Sequence, residues 1–196
     1  MIVRIIAGGP NPFVKETDGI IIAVDKGLEH ALQLGLDVTL AVGDFDSTNI
    51  ELAKHIETIK LPSEKDQTDL QVAIEEALKL KPTTIYVYGA TNGRYDHYHA
   101  AVQLLRRGDI RLVDEINEIR VVHNGVVEVK TLDYVSFFHY SGEPSITLEG
   151  FKYPLKEYYL APFDSKCISN ELKKPTGTVT VQGGHVLMVI SHNDHR

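Results

Sequence analysis

Six aspartates fall where this sequence leaves an apolar run or enters a helical one. Asp25 closes the run 19–24. Asp44 and Asp46 follow 39–42, in Gly43-Asp44-Phe45-Asp46-Ser47. Asp66 and Asp69 stand in Lys65-Asp66-Gln67-Thr68-Asp69, and Asp96 follows 84–88 in Gly89-Ala90-Thr91-Asn92-Gly93-Arg94-Tyr95-Asp96-His97. Carboxylates brought together repel, so either their pKa values rise or a cation joins them. Their hard oxygens suit Mg²⁺, which takes a few carboxylates together with phosphate and water. Lys26, Lys65 and Arg94 lie in the same segments. They suit phosphate oxygens, Arg94 with a fork that can hold two at once. Acids, interspersed bases and glycine-rich turns together point to a metal–polyphosphate site.

Each piece also has a plainer reading. Asp66 is placed to cap the helix that follows, and Asp69 adds negative charge near that helix's positive end. Asp25 can begin a helix in the same way. Short acidic pairs such as Asp44-x-Asp46 occur in many loops, and glycine marks turns for conformational reasons alone. Four acidic segments, each at the same end of its element, carry more weight than any one of them. Other signals fail. No phosphate-loop motif is present, and Gly8-Gly9-Pro10 is not the dinucleotide fingerprint. His97 and His99 are two apart on an expected helix and face different ways. His192 and His195 lie in the terminal tail. Cys167 reads as a small packing residue. Tyr153, Tyr158, Tyr159 and Phe163 read as core or rim of a β unit, with ligand stacking the lesser alternative.

The elements that must position these residues come in two styles. Up to about residue 107, β-branched runs at 3–7, 19–24, 39–42, 58–61 and 84–88 alternate with helical spacing at 26–34, 50–56, 68–80 and 96–107. In 68–80, Leu70, Ala73, Ile74, Ala77 and Leu78 share one face. Apolar strands separated by helices indicate a parallel sheet covered on both faces, which takes ligands beyond its carboxyl ends. From residue 110 the runs shorten and become β-rich: 110–113, 119–122, 126–130, 135–140, 145–148, 157–160, 177–181 and 186–190. Asn124-Gly125, Ser141-Gly142, Gly150 and Gly183-Gly184 read as turns between them, the first as a hairpin. The expected fold class is therefore α/β: an N-terminal parallel-sheet, Rossmann-like domain over 1–118, then a C-terminal all-β sandwich domain over 119–196.

Composition narrows the classes. The 196 residues are 43% hydrophobic and 24% charged, with a formal charge of -7. That is too hydrophobic for a disordered chain and too acidic for a general nucleic-acid binder. No apolar run approaches the roughly 20 residues of a membrane helix. A start that runs straight into a strand-like segment suggests no cleavable signal, and one cysteine suggests a reducing, cytoplasmic setting.

The three most specific segments, 43–47, 66–69 and 89–97, resemble in order and spacing those of the bacterial thiamine pyrophosphokinases. Ala23-Val24-Asp25-Lys26-Gly27 is similar to the family's second-strand turn, and Ser169-Asn170 to a short element of its thiamine-binding domain. The resemblance runs nearly full length. Asn92 stands where many relatives carry glycine, which Asn tolerates. The last strand lacks the tryptophan that eukaryotic relatives place near the thiamine ring, and the chain has no Trp.

The resemblance implies an α/β nucleotide domain and a β-sandwich domain, a homodimer with the active site shared between subunits, and Mg²⁺ with ATP. The implied reaction moves pyrophosphoryl from ATP to the thiamine hydroxyl and leaves AMP. On that reading Asp44, Asp46 and Asp69 hold Mg²⁺, with Asp96 as a fourth ligand, and Arg94 and Lys65 hold the terminal phosphates. Gln67 and Thr68 offer hydrogen bonds at a helix N-terminus. Asp25, Lys26 and Gly27 meet the nucleotide. Asp66 or Asp96 draws the hydroxyl proton, while Asp96, Ser169 and Asn170 meet thiamine. Two rivals stand beside it: a phosphatase using Asp44 as nucleophile and Asp46 as acid, and a non-catalytic nucleotide-binding sensor.

Overall fold

The computed structural model describes residues 1–10, 13–45, 53–62, 64 and 66–192. These form two compact units, Met1–Glu115 and Ile116–Arg196, in a mixed α/β fold. Among the described residues no helix is long and apolar enough to cross a membrane.

In the first unit the strands are β1 (Ile2–Ile6), β2 (Ile20–Val24), β3 (Val38–Gly43), β4 (Glu57–Lys60), β5 (Thr84–Tyr88) and β6 (Ile110–Val113). All pair in parallel, in the order β4-β3-β2-β1-β5-β6. The chain runs outward from β1 through β4, then crosses back to place β5 on β1's other side. The switch point of the sheet thus lies between β1 and β5. The crossovers include α1 (Gly27–Gln33), α2 (Asp69–Lys79) and α3 (Tyr95–Leu104), the last extended by a 3-10 turn at Leu105–Arg107. Ile6, Ile21 and Ala23 of the sheet pack with Leu28 and Ala31 of α1. Helix α2 buries Ala73, Ile74 and Ala77 and packs on β1, β2 and β3, as its apolar stripe predicts. Its cap differs from expectation. Thr68, not Asp66, is the N-cap, and its hydroxyl accepts from the Gln71 amide at 3.2 Å. Of the helix expected at 50–56, residues 50–52 fall outside the described residues and 53–56 form a turn, with Ile56 N donating to the Ala53 carbonyl at 2.9 Å.

In the second unit the strands are β7 (Asn117–Val122), β8 (Gly125–Val129), β9 (Tyr134–Glu149), β10 (Leu155–Tyr159) and β11 (Gly177–Ser191). All pairing within the unit is antiparallel: β10 on β9, β9 on β11, and both β7 and β8 on β11. Three expectations are corrected here. Runs 135–140 and 145–148 are one 16-residue strand, and 177–181 with 186–190 form one of 15 residues. Ser141-Gly142 and Gly183-Gly184 are not chain reversals. They lie opposite each other at a register shift between β9 and β11, where a bulge bends both strands together. The bend lets Ile146, Leu148, Val179 and Val181 share one core with Val135, Phe137, Val186 and Met188. Nor does Asn124-Gly125 close a hairpin between mutually paired strands. Each flanking strand pairs with a different stretch of β11, and Asn124 Oδ1 accepts from the Gly183 amide at 3.0 Å.

Candidate functional site

Parallel strands all end on one side, so the turns after β1, β2 and β5 meet there although about 80 residues separate them in sequence. Between them opens a cavity of about 450 Å³. Its walls are Gly8, Gly9 and Pro10 after β1, Asp25 and Lys26 after β2, Thr68 to Leu70 at the start of α2, and Gly89, Ala90 and Asn92 to Arg94 after β5. His97 and Ala101 of α3 complete it. The two glycine-rich walls are stitched together: Gly9 N donates to the Gly89 carbonyl at 3.0 Å, one step beyond the bond from Ala7 N to the Tyr88 carbonyl at 2.8 Å.

The turns that follow β2 and β3 are held in unusual backbone. Asp25 has φ of 49° and Phe45 of 57°, left-handed geometry that Asp tolerates and Phe does not favour. Strain of this kind persists only where surrounding contacts enforce it. Asp25 N donates to the Val42 carbonyl at 3.0 Å, and its own carbonyl accepts from Leu28 N at 3.0 Å. Its carboxylate lies against Gly43, where a Cβ would overlap it. That contact carries Asp25 across to the end of β3, beside half-buried Asp44. Gly27 is buried against the Ile6 carbonyl, with no room for a Cβ, so its need for glycine is met by packing of α1 on β1. Asp69 opens α2 on the cavity wall.

Other expected site residues lie elsewhere or are engaged locally. Asp46 and Lys65 fall outside the described residues. Asp66 is exposed and does not line the cavity. Gln67 turns its amide to the Glu75 carboxylate at 3.1 and 3.3 Å. Glu75 also accepts from Gln71 and Arg107, and these bonds hold its carboxyl below the usual range. Arg94 and Asp96 grip each other, Nη2 to Oδ2 at 2.5 Å and Nε to Oδ1 at 3.1 Å. The Arg94 guanidinium, helped by the His97 amide, brings Asp96 down to about 2. A carboxylate that acidic is a poor proton acceptor near neutral pH. Among the described residues no three His, Cys, Asp or Glu side chains group closely enough to hold a metal ion.

In the second unit Asn170 is buried and its side chain is spent on its own chain. Oδ1 accepts from Tyr153 N at 3.1 Å and Glu171 N at 2.9 Å, and Nδ2 donates to the Tyr153 carbonyl at 2.9 Å. Its backbone bridges Val135 in both directions. Ser169 is exposed at φ of 53°, its amide donating to Ser136 Oγ at 2.9 Å. The four aromatics expected at core or rim divide between the two. Tyr158 packs on the core and donates to Asp164 at 2.6 Å, but Tyr153, Tyr159 and Phe163 are exposed. Cys167 is buried, and burial pushes its thiol up to about 11.

Sequence reasoning missed Gly8, Gly9, Pro10, Asn92 and His97 as cavity walls. The available signal was position: Gly8-Gly9-Pro10 follows the first apolar run, which becomes a central strand beside the switch point. A motif search discards it because it matches no fingerprint.

Sheet, switch point and crevice define an α/β protein whose cavity lies where open parallel sheets take small ligands. Comparison with known proteins makes the class specific. Residues 14–113 match the model of the thiamin pyrophosphokinase catalytic domain, and residues 117–186 that of the thiamin pyrophosphokinase vitamin B1 binding domain. The chain is 35% identical to thiamine pyrophosphokinase of Bacillus subtilis (strain 168), over 96% of this chain and 98% of that protein. The crystal structure of the Bacillus subtilis thiamine pyrophosphokinase superposes with a TM-score of 0.91 at 33% identity, covering 98% of this chain and all of the other. A thiamin pyrophosphokinase from Geobacillus thermodenitrificans gives 0.89 at 31% identity, covering 100% and 99%.

The chain belongs to the thiamin pyrophosphokinase family. It is an enzyme of the thiamine diphosphokinase class, and the phosphatase and sensor readings gain nothing from these comparisons.

Proposed function

We propose that this enzyme transfers a pyrophosphoryl group from ATP to the hydroxyl of thiamine, giving thiamine diphosphate and AMP, with Mg²⁺ as cofactor. The observation that carries the reading is the crevice at the switch point, with Asp25, Lys26, Asp69 and Arg94 on glycine-rich walls and the start of α2. On this reading the first unit is a Rossmann-like nucleotide domain and the second a β-sandwich domain for thiamine. Lys26 and Arg94 hold phosphate oxygens, Arg94 exchanging Asp96 for phosphate, and the first amides of α2 face the anion.

The donor chemistry fits Mg²⁺. Asp69 on the wall and Asp44 at the next strand end offer hard oxygens, and Mg²⁺ needs only one or two carboxylates plus substrate phosphates. When bound, the ion neutralises charge on the phosphate oxygens. The thiamine hydroxyl oxygen bonds to the β-phosphorus as the bond from that phosphorus to the α–β bridging oxygen breaks, and AMP leaves with the bridging oxygen. Asp96, released when Arg94 turns to phosphate, or Asp66 takes the hydroxyl proton. In the second unit the exposed Ser169 meets thiamine, and Asn170 holds the loop that presents it. The homodimer implied by family resemblance belongs to the same reading and is measured by sedimentation.

The deciding assay is AMP release from ATP with Mg²⁺. Release that requires thiamine supports the proposal. AMP formed equally without thiamine, or orthophosphate in its place, rejects it.

A further inference from the structure

Among the described residues Arg4 is the one charged side chain that is fully buried. It sits in mid-β1, in register with Ile21 of β2 and Tyr86 of β5. Strand alternation puts it on the same face as Ile6, at a core position in a run otherwise made of Ile and Val. A guanidinium there is costly unless its donors are met, and an apolar side chain of similar volume would serve stability at least as well.

The terminal nitrogens find partners in the link between β1 and β2, while Nε is buried without a hydrogen-bond partner among the described residues. Arg4 Nη2 donates to Glu16 Oε2 at 2.6 Å and to Asp18 Oδ1 at 2.8 Å, and Nη1 donates to the Asp18 carbonyl oxygen. The guanidinium carbon also stands 5.4 Å from the centre of the Tyr86 ring, within cation–π range. Tyr86 in turn stacks on Tyr88, with ring centres 6.5 Å apart. One side chain therefore holds β1, β5 and residues 13–19 together. Both strands run directly into the crevice walls: Gly8-Gly9-Pro10 follows β1, and Gly89 follows Tyr88. Arg4, Glu16 and Asp18 do not themselves line the cavity.

We propose that Arg4 with Glu16 and Asp18 is a positioning clasp for the nucleotide crevice. It sets the course of residues 13–19 and the seam between β1 and β5, so that the two glycine-rich walls stand at the spacing a nucleotide needs. The inference rests on the nucleotide reading above. It explains why a buried charge occupies a place that leucine could fill.

The test uses Glu16→Gln with Asp18→Asn, which keeps side-chain shape and leaves the Asp18 carbonyl as an acceptor. Binding of a non-hydrolysable ATP analogue with Mg²⁺, amide exchange, and thiamine-dependent AMP release are measured on the full chain. The expected result is an about fivefold rise in both analogue Kd and ATP KM. In the same variant kcat stays within about twofold of the parent, and exchange is faster at residues 8–10 as well as 13–19. Should the double variant not fold, Glu16→Gln alone is read for a smaller shift in the same direction. Faster exchange confined to 13–19 with unchanged analogue binding overturns the clasp, as does a fall in kcat at constant Kd. A parent enzyme that binds the analogue but releases no AMP defeats the transferase reading and leaves the clasp intact. A parent that binds no nucleotide defeats both.

Discussion

The two units spend their polar side chains in opposite ways. In the parallel unit, Asp25, Lys26, Asp69 and Arg94 lie at a rim and face a cavity. In the antiparallel unit, Asn170 is buried and tied to Tyr153, Glu171 and Val135. Direction accounts for the difference. Parallel strands end together, so residues far apart in sequence reach one edge and remain available to a ligand. Antiparallel strands end alternately at both edges, and the loops there must be stitched to the sheet by their own side chains.

That contrast can be broken by experiment. The largest effect is expected for Asp69→Asn: thiamine-dependent AMP release falls about a hundredfold, with an unchanged far-ultraviolet circular dichroism spectrum. Near-parental turnover would remove Asp69 from the site. Asn170→Ala should do the reverse. It strands two amides and a carbonyl and costs about 2 kcal/mol of stability by denaturant titration; a rise in thiamine KM without loss of stability would instead make Asn170 a ligand contact. Thr68→Ala removes the N-cap of α2 and should cost about 1 kcal/mol, again read by denaturant titration. A stability equal to the parent's would show that the cap bond contributes nothing.

The smallest effect concerns Arg94 and Asp96. The folded-state pKa of Asp96 is depressed from 3.8 to about 2. The contribution of the ion pair is therefore complete above about pH 4 and is lost as pH falls through about 2. In Arg94→Gln the Asp96 carboxyl should titrate near 3.8 in a carbon-detected nuclear magnetic resonance experiment. A midpoint still near 2 would mean that Arg94 is not its main partner.

Much of the first unit was readable from spacing. The stripe Leu70, Ala73, Ile74 and Ala77 marks α2 to within a residue at each end, because burying one helix face demands that period. The second unit was less readable. Gly142 and Gly183 look like turns, since glycine permits reversal and bulge alike, and local sequence does not say which. Continuity of β9 and β11 depends on partners some 40 residues away. At the site, Asp25, Lys26, Thr68, Asp69 and Arg94 were legible by type and position. The Gly8-Gly9-Pro10 wall was not, because it carries no ionisable group. The pairing of Arg94 with Asp96 and of Gln67 with Glu75 could not be foreseen either, since short-range side-chain bonds are chosen by rotamers and not by residue type.

Periodicity and composition, read along the chain, are enough to set two structural styles, the strand and helix order of the first, and an acidic, glycine-rich set of turns able to meet a phosphate chain. Those are local properties, since burial of one face imposes its period on neighbouring residues. Which turns share a crevice, where the β9–β11 pair bends, and why a buried arginine holds β1 to the link before β2 are long-range matters. They follow from which strands become neighbours, and packing of the whole domain settles that.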